Sequence, residues 1–205
     1  MIRDEDEARA YCATFCDVDA MERLTALTHA LRAENGRQNL IAKPTEDLIW
    51  QRHIADSLQL LEYVPRETST WLDLGSGAGF PGLALAIARP LHEIVLVESR
   101  RKRIEWLEAM IVRLNLTQCC VEGTKLENVD SFPCGVITAR AFAPLTKLLK
   151  LSARFSTPGT VWLLPKGRSA AQELQEQPKK VQRMFHVEQS RTDAEASILV
   201  GKGQA

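Results

Sequence analysis

The stretch Trp71-Leu72-Asp73-Leu74-Gly75-Ser76-Gly77-Ala78-Gly79-Phe80-Pro81-Gly82 decides how this chain folds. Trp71–Leu74 reads as a short apolar strand, and the glycines that follow read as a turn into a helix over roughly Gly82–Arg89. In an open parallel sheet, ligands bind beyond the carboxyl ends of the strands, where loops lead into helix N-termini. Glycine lets the backbone turn sharply there and approach a ligand with no Cβ in the way. Asp73 would stand near that edge, able to orient loop amides or to accept from a cofactor's ammonium group. A second acid, Glu98, ends the next strand, 23 residues after Gly75. A carboxylate at that distance can accept both ribose hydroxyls of an adenosine cofactor.

Downstream of the turn, strands alternate with helices. Glu93–Val97 is a second strand, Arg101–Leu114 an amphipathic helix, Cys119–Glu122 a third strand and Gly135–Ala139 a fourth. Helix Pro144–Phe155, strand Val161–Leu164, a helix near Ser169–Gln177 and strands Arg183–Val187 and Ser197–Val200 complete the pattern. Repeated βα units imply an α/β fold, Rossmann-like, with a mainly parallel sheet covered by helices on both faces. The last two strands have no crossover helix between them, so an antiparallel pair at the C-terminal sheet edge is expected. Trp71 and Trp162, within strand patterns, belong to the core.

Upstream, the chain reads as helical. Asp19-Ala20-Met21-Glu22 resembles a capping box with Asp in the first position. Met21, Leu24, Leu27 and Leu31 then recur at helical spacing, and Gly36 offers a stop. Pro44 precedes a second helix, Thr45–Tyr63, and Pro65 closes it. The expected organisation is a helical N-terminal extension, residues 1–65, and a cofactor-binding domain, residues 66–205, in one compact unit.

The 205 residues, 45% hydrophobic and 25% charged, are those of an ordinary globular protein. The acidic start Met1-Ile2-Arg3-Asp4-Glu5-Asp6-Glu7 is unlike a secretory leader or transit peptide. No apolar run approaches the ~20 residues that span a bilayer; Gly82–Ala88 is among the longest. No membrane association and a cytoplasmic location are expected. Five cysteines, an odd count with an adjacent pair and no C-x-x-C, argue against a disulfide framework and against a zinc site, and no metal is expected. Cys12 and Cys16, four apart on an expected helix, could share a face. Net charge is zero but uneven, −5 over residues 1–70 and +5 over residues 71–205. The second part can therefore carry a local basic surface of the kind that nucleic acids need.

The turn alone does not choose a cofactor. Gly77-Ala78-Gly79-Phe80-Pro81-Gly82 satisfies the dinucleotide fingerprint G-x-G-x-x-G. Three features lean away from it. Gly75-Ser76 intervenes, so the match begins late; Pro81 removes an N–H that would cradle a pyrophosphate; and some 70 residues precede the first strand.

The stretch Leu72–Gly82 closely resembles the cofactor motif of the bacterial RsmG/GidB family, the small-subunit rRNA guanine-N7 methyltransferases. Further matches follow in Arg52-His53-Ile54-Ala55-Asp56-Ser57-Leu58, Val97-Glu98-Ser99-Arg100-Arg101-Lys102-Arg103, Thr138-Ala139-Arg140-Ala141-Phe142-Ala143-Pro144-Leu145 and Leu164-Pro165-Lys166-Gly167. Together they cover about residues 35–170. The resemblance implies a methyltransferase fold with a helical N-terminal extension, S-adenosyl-L-methionine as cofactor, and 16S rRNA or the small ribosomal subunit as partner. The expected product is a guanine methylated at N7 near the decoding centre, made by a monomer without a metal. Carried over by position, the family's cofactor contacts fall on Gly75, Phe80, Leu126, Glu127 and Arg140. Asp73, Gly77 and Glu98 join them from the reading above. Lys125-Leu126-Glu127 stands where the family often has Arg-Ala-Glu, so the Glu is kept and the Leu is a departure.

Guanine N7 carries an in-plane lone pair and no proton at neutral pH, so no catalytic base is expected. Catalysis would rest on positioning, worth up to about 7–11 kcal/mol in favourable cases. Arg normally reads guanine at O6 and N7 together; Arg140 on N7 would block the attacking lone pair, which leaves it O6, a phosphate or the cofactor's carboxylate. Arg100, Arg101 and Lys166 are candidates for rRNA phosphates, with Lys102 and Arg103 completing the basic run. A guanine taken out of its RNA fold needs a stacking partner, and Phe80 and Phe142 are placed for it. His53 and Asp56, three apart, would share a helix face and pack the extension against the cofactor loop. Two other readings stand beside this one: a nucleotide-linked oxidoreductase, and a non-enzymatic RNA-binding assembly factor that retains the pocket.

Overall fold

The computed structural model describes residues 1–68 and 70–205. Among them run seven strands, β1 Trp71–Leu74, β2 Ile94–Val97, β3 Cys119–Glu122, β4 Val136–Ala139, β5 Val161–Lys166, β6 Phe185–Gln189 and β7 Ser197–Lys202. They form one sheet in the order β3-β2-β1-β4-β5-β7-β6. The first five strands pair in parallel. β7 lies between β5 and β6 and is antiparallel to both, so the expected antiparallel C-terminal edge is present.

The chain leaves β1 toward β2 on one side and later returns to β4 on the other. Leu74 is level with Val97 and with Ala139, so three strand ends open together at this reversal of order, where such sheets bind ligands. β1, β2 and β4 are buried at every residue, because both faces are covered. Successive side chains enter opposite cores. Trp71, Ile94, Leu96 and Val136 join one with the N-terminal helices, whereas Leu72, Val95, Val97 and Ile137 join the other. Trp162 is fully buried in the second.

The helices are α1 Glu5–Cys12, α2 Val18–Gln38, α3 Asp56–Leu58, α4 Gly82–Ala88, α5 Arg101–Arg113, α6 Leu145–Ser152, α7 Ala170–Gln175 and α8 Lys179–Gln182. Among the described residues no helix is long and apolar enough to cross a membrane. Several expected boundaries are corrected. α2 is capped by Asp17, which accepts from Ala20 N at 2.8 Å, not by Asp19. It runs through Gly36 and ends at Asn39, which takes the left-handed conformation (φ 47°). Asn tolerates that conformation, and the exposed Gly36 keeps a helical backbone within α2. α1 ends at Cys12, so Cys16 lies beyond the helix and the two thiols do not share its face. The expected single helix Thr45–Tyr63 is composite: a 3-10 turn Lys43–Leu48, a π-turn Trp50–Ala55, α3, and a 3-10 turn Gln59–Tyr63.

Candidate active site

The glycine turn is pinned from three directions. Gly75 N and Ser76 N both donate to Val97 O, at 2.9 and 3.1 Å, tying the turn to the end of β2. Trp106 Nε1, from α5, donates to Ala78 O at 3.0 Å. Asp73 holds the far end: Oδ2 accepts from Gly82 N at 3.2 Å and Oδ1 from Thr138 Oγ1 at 2.9 Å. Gly75 and Gly82 leave no space for a side chain. Gly75 has φ +68°, and a Cβ there would stand 2.6 Å from the Phe142 ring. A Cβ on Gly82 would stand 2.2 Å from Leu96 and 2.7 Å from Asp73 Oδ2.

Glu98 closes the ring of contacts. Its Oε2 accepts from Gly77 N at 3.0 Å, and its Oε1 accepts from Ser99 N and Arg100 N at 2.7 and 2.8 Å. This carboxylate therefore supplies the acid that a helix N-terminus favours, which explains how α5 begins on Arg101-Lys102-Arg103. A carboxylate offers about four acceptor positions, so one more remains, on Oε2. That suffices for one incoming hydroxyl. Accepting the two that the sequence suggested would require a loop bond to be released.

These residues surround a cavity of ≈ 420 Å³ beyond β1 and β2. Gly75, Gly77, Phe80, Glu98, Leu126 and Arg140 line it, as do Arg100 and Phe142. So do residues the sequence did not offer, among them Leu40, Val97, Thr124 and Lys125. Leu40 comes from the N-terminal extension, and no local motif marks it. It is set there by Arg103, whose guanidinium donates to the carbonyls of Gln38, Asn39 and Leu40 at 3.4, 2.6 and 3.2 Å. Asp73 lies behind the cavity, 1% exposed, where burial pushes its carboxyl above the usual range. Glu127 is exposed and is not part of the wall.

A second cavity, ≈ 840 Å³, opens beyond β4, β5 and β7. Arg140, Ala141 and Phe142 line both cavities. The shared wall is held hard. Arg140 Nη1 donates to Arg52 O at 3.2 Å and to Asp56 Oδ2 at 3.3 Å, and its Nη2 to His53 Nδ1 at 3.2 Å. Its guanidinium carbon stands 5.4 Å from the Phe80 ring centre, and His53 stacks on the same ring at 5.2 Å. Ala141 takes φ +54°, a conformation costing an L-residue about 1–2 kcal/mol. Burial, then Arg140 and Arg52, push the His53 imidazole down to about 3.

Phe80 is 3% exposed with His53 and Arg140 against it, so its ring is not available to stack on a ligand. The half-buried Phe142, facing both cavities, is. Lys166 lines the larger cavity with two of its three donors engaged. Its Nζ donates to Glu173 Oε2 at 2.8 Å and to Ala143 O at 3.3 Å. Arg101 is exposed beside Glu105 and lines neither cavity. The missed residues of the larger cavity include Thr45, Arg52 and Asp193, with Arg52 Nη1 donating to Asp193 Oδ2 at 2.6 Å. Only the tertiary fold brings these together. Cys119 and Cys134 are buried, which pushes both thiols up to about 12.

A family profile described as GidB, rRNA small subunit methyltransferase G, matches residues 20–197. The chain is 60% identical to a ribosomal RNA small subunit methyltransferase G of Erythrobacter litoralis, covering 100% of this chain and 99% of that one. It is 51% identical to a protein of the same name from Novosphingobium aromaticivorans, over 97% and 88% of the two. In structure it is similar to a SAM-dependent methyltransferase of Aquifex aeolicus, with TM-score 0.60, 13% identity, and 78% and 95% of the chains covered. It is also similar to the O-methyltransferase TomG of Streptomyces achromogenes, with TM-score 0.57, 14% identity, and 89% and 90% covered.

Proposed function

Since the chain belongs to the GidB family, rRNA small subunit methyltransferase G, we propose that it methylates N7 of a specific guanine in 16S rRNA near the decoding centre. The methyl donor is S-adenosyl-L-methionine, and the enzyme acts as a cytoplasmic monomer without a metal. The observation that carries this reading is the pair of cavities that meet at Arg140, Ala141 and Phe142.

The smaller cavity fits the cofactor. Gly77 leaves room for close backbone approach, Glu98 keeps one acceptor position for a sugar hydroxyl, and Leu40, Val97 and Leu126 offer apolar walls to an adenine. When bound, S-adenosyl-L-methionine supplies an electrophilic methyl group on a positively charged sulfur. The extension and the sheet domain serve as one unit, because Leu40 belongs to one and the remaining wall to the other.

The larger cavity receives the guanosine, with Phe142 as its stacking partner. Its nucleophile, N7, needs no base, and the groups on the shared wall fit that requirement. His53 is engaged at both ring nitrogens. Asp56 accepts from Arg140, Thr192 and Gln59. Asp73 is sealed behind the turn. What these residues do is hold the wall still, so that the two reactants meet in line. Arg100, exposed at the mouth of the smaller cavity, is the basic group best placed to meet rRNA phosphate.

The test is to map N7-methylguanine in small-subunit rRNA from cells lacking this protein. One guanine should lose its methyl group and regain it when the intact chain is returned. An unchanged methylation map would overturn the proposal.

A further inference from the structure

His53 and Arg52 sit on the π-turn Trp50–Ala55, a local widening of a helix of the kind often found at functional sites. The hydrogen bonds around His53 define its proton. A guanidinium has donors only, so the 3.2 Å contact from Arg140 Nη2 requires Nδ1 to accept. On the other side, the Thr45 hydroxyl gives its one proton to Ala42 O at 2.8 Å. The 2.9 Å contact between Thr45 Oγ1 and His53 Nε2 therefore requires Nε2 to donate. Two independent contacts thus select the same neutral tautomer.

Resting on the function proposed above, we infer that His53 is a positioning residue for methyl transfer: as the Nε2–H tautomer it accepts from Arg140 and fixes that guanidinium in the wall between the cavities. Arg140 has five N–H donors. Arg52 O, Asp56 Oδ2 and His53 Nδ1 take three of them, and Phe80 closes one face. Two donors remain for a ligand. The surroundings keep His53 neutral. Arg140 and Arg52 both face it, and their partners, Asp56 and Asp193, accept from those arginines rather than from the ring. Thr192, from the β6–β7 loop, donates to Asp56 Oδ1 at 2.8 Å, so that loop braces the same assembly.

The test combines a spectroscopic readout with a double-mutant cycle. In the full chain with 15N-labelled histidine, His53 should show an unprotonated Nδ1 and a protonated Nε2, unchanged between pH 5 and pH 8. A ring that titrates in that range, or the opposite tautomer, would overturn the inference. Binding of S-adenosylhomocysteine is then measured by calorimetry. His53→Leu should weaken it by about tenfold, the loss of one hydrogen bond from a charged donor. His53→Asn, whose Oδ1 can still accept from Arg140, should lose far less. The double variant His53→Leu with Arg140→Leu should bind no worse than Arg140→Leu alone. Additive losses, or an Asn variant as poor as Leu, would show that His53 does not act through Arg140. Intact protein that failed to bind S-adenosylhomocysteine at all would instead count against the proposed function, and the tautomer would still be readable.

Discussion

Gly75→Ala tests the geometry of the cofactor turn with a single methyl group. At φ +68° an L-alanine costs about 1–2 kcal/mol in backbone energy alone. The new Cβ would stand 2.6 Å from Phe142 Cδ2, and carbons prefer about 3.5–4.0 Å. The Phe142 ring must therefore retreat by about 1 Å. It is half-buried, so it can move, and the fold survives; but that ring is part of the wall between the cavities. The expected loss of stability is about 2 kcal/mol, or about 4–8 °C in Tm for a chain of this size. Affinity for S-adenosylhomocysteine should fall by about tenfold or more, since a displacement of this size at a positioned site is costly. Gly36→Ala is the internal control. It is exposed within α2, with nothing within 4 Å of the added Cβ, and it should stabilise by about 0.5–1 kcal/mol. Thermal unfolding and calorimetric titration read both quantities. Unchanged Tm and unchanged affinity in Gly75→Ala would show that neither the left-handed φ nor the Phe142 contact constrains the turn.

Acidification should expose His53. Its imidazole stands at about 3 in the fold against an ordinary 6.5, so the unfolded chain binds the extra proton and stability falls as pH drops from about 6.5 toward 3. Between pH 7 and pH 5 the difference is about 2 kcal/mol. Urea unfolding at the two pH values should show it in the intact chain and show it reduced by that amount in His53→Asn; parallel acid limbs would exclude this source. Arg103→Met removes the three carbonyl contacts that seat Leu40, so both Tm and cofactor affinity should fall, while the salt dependence of RNA binding changes little. Arg101→Ala should do the reverse. Its exposed pair with Glu105 contributes well under about 1 kcal/mol, so Tm should hold, and any loss should appear in the slope of RNA affinity against salt.

The sheet was legible because β1, β2 and β4 are buried on both faces and read as short apolar runs between turn signals. The antiparallel ending was legible because no helix separates β6 from β7. Helix ends were less so. Asp17 and Asp19 offer the same capping chemistry two positions apart, and Asn39 took the left-handed stop that Gly36 advertised. The π-turn at Trp50–Ala55 has no periodic signature, since its apolar spacing resembles that of an ordinary helix. In the site, the glycines and Glu98 were visible because each is fixed by its place at a strand end. Leu40, Thr45, Arg52 and Asp193 were not, since they come from segments far apart in the chain. Ala141 shows a further limit: a left-handed φ on alanine is imposed by the tertiary fold and leaves no local mark.

A crystal structure of the chain with S-adenosylhomocysteine would locate the cofactor outright. The nucleoside is expected in the smaller cavity, with a sugar hydroxyl on Glu98 and the amino-acid end toward Arg140. Density for the nucleoside beyond β4 and β5 instead, or a Glu98 carboxylate with no contact to the sugar, would overturn the assignment of the smaller cavity to the cofactor.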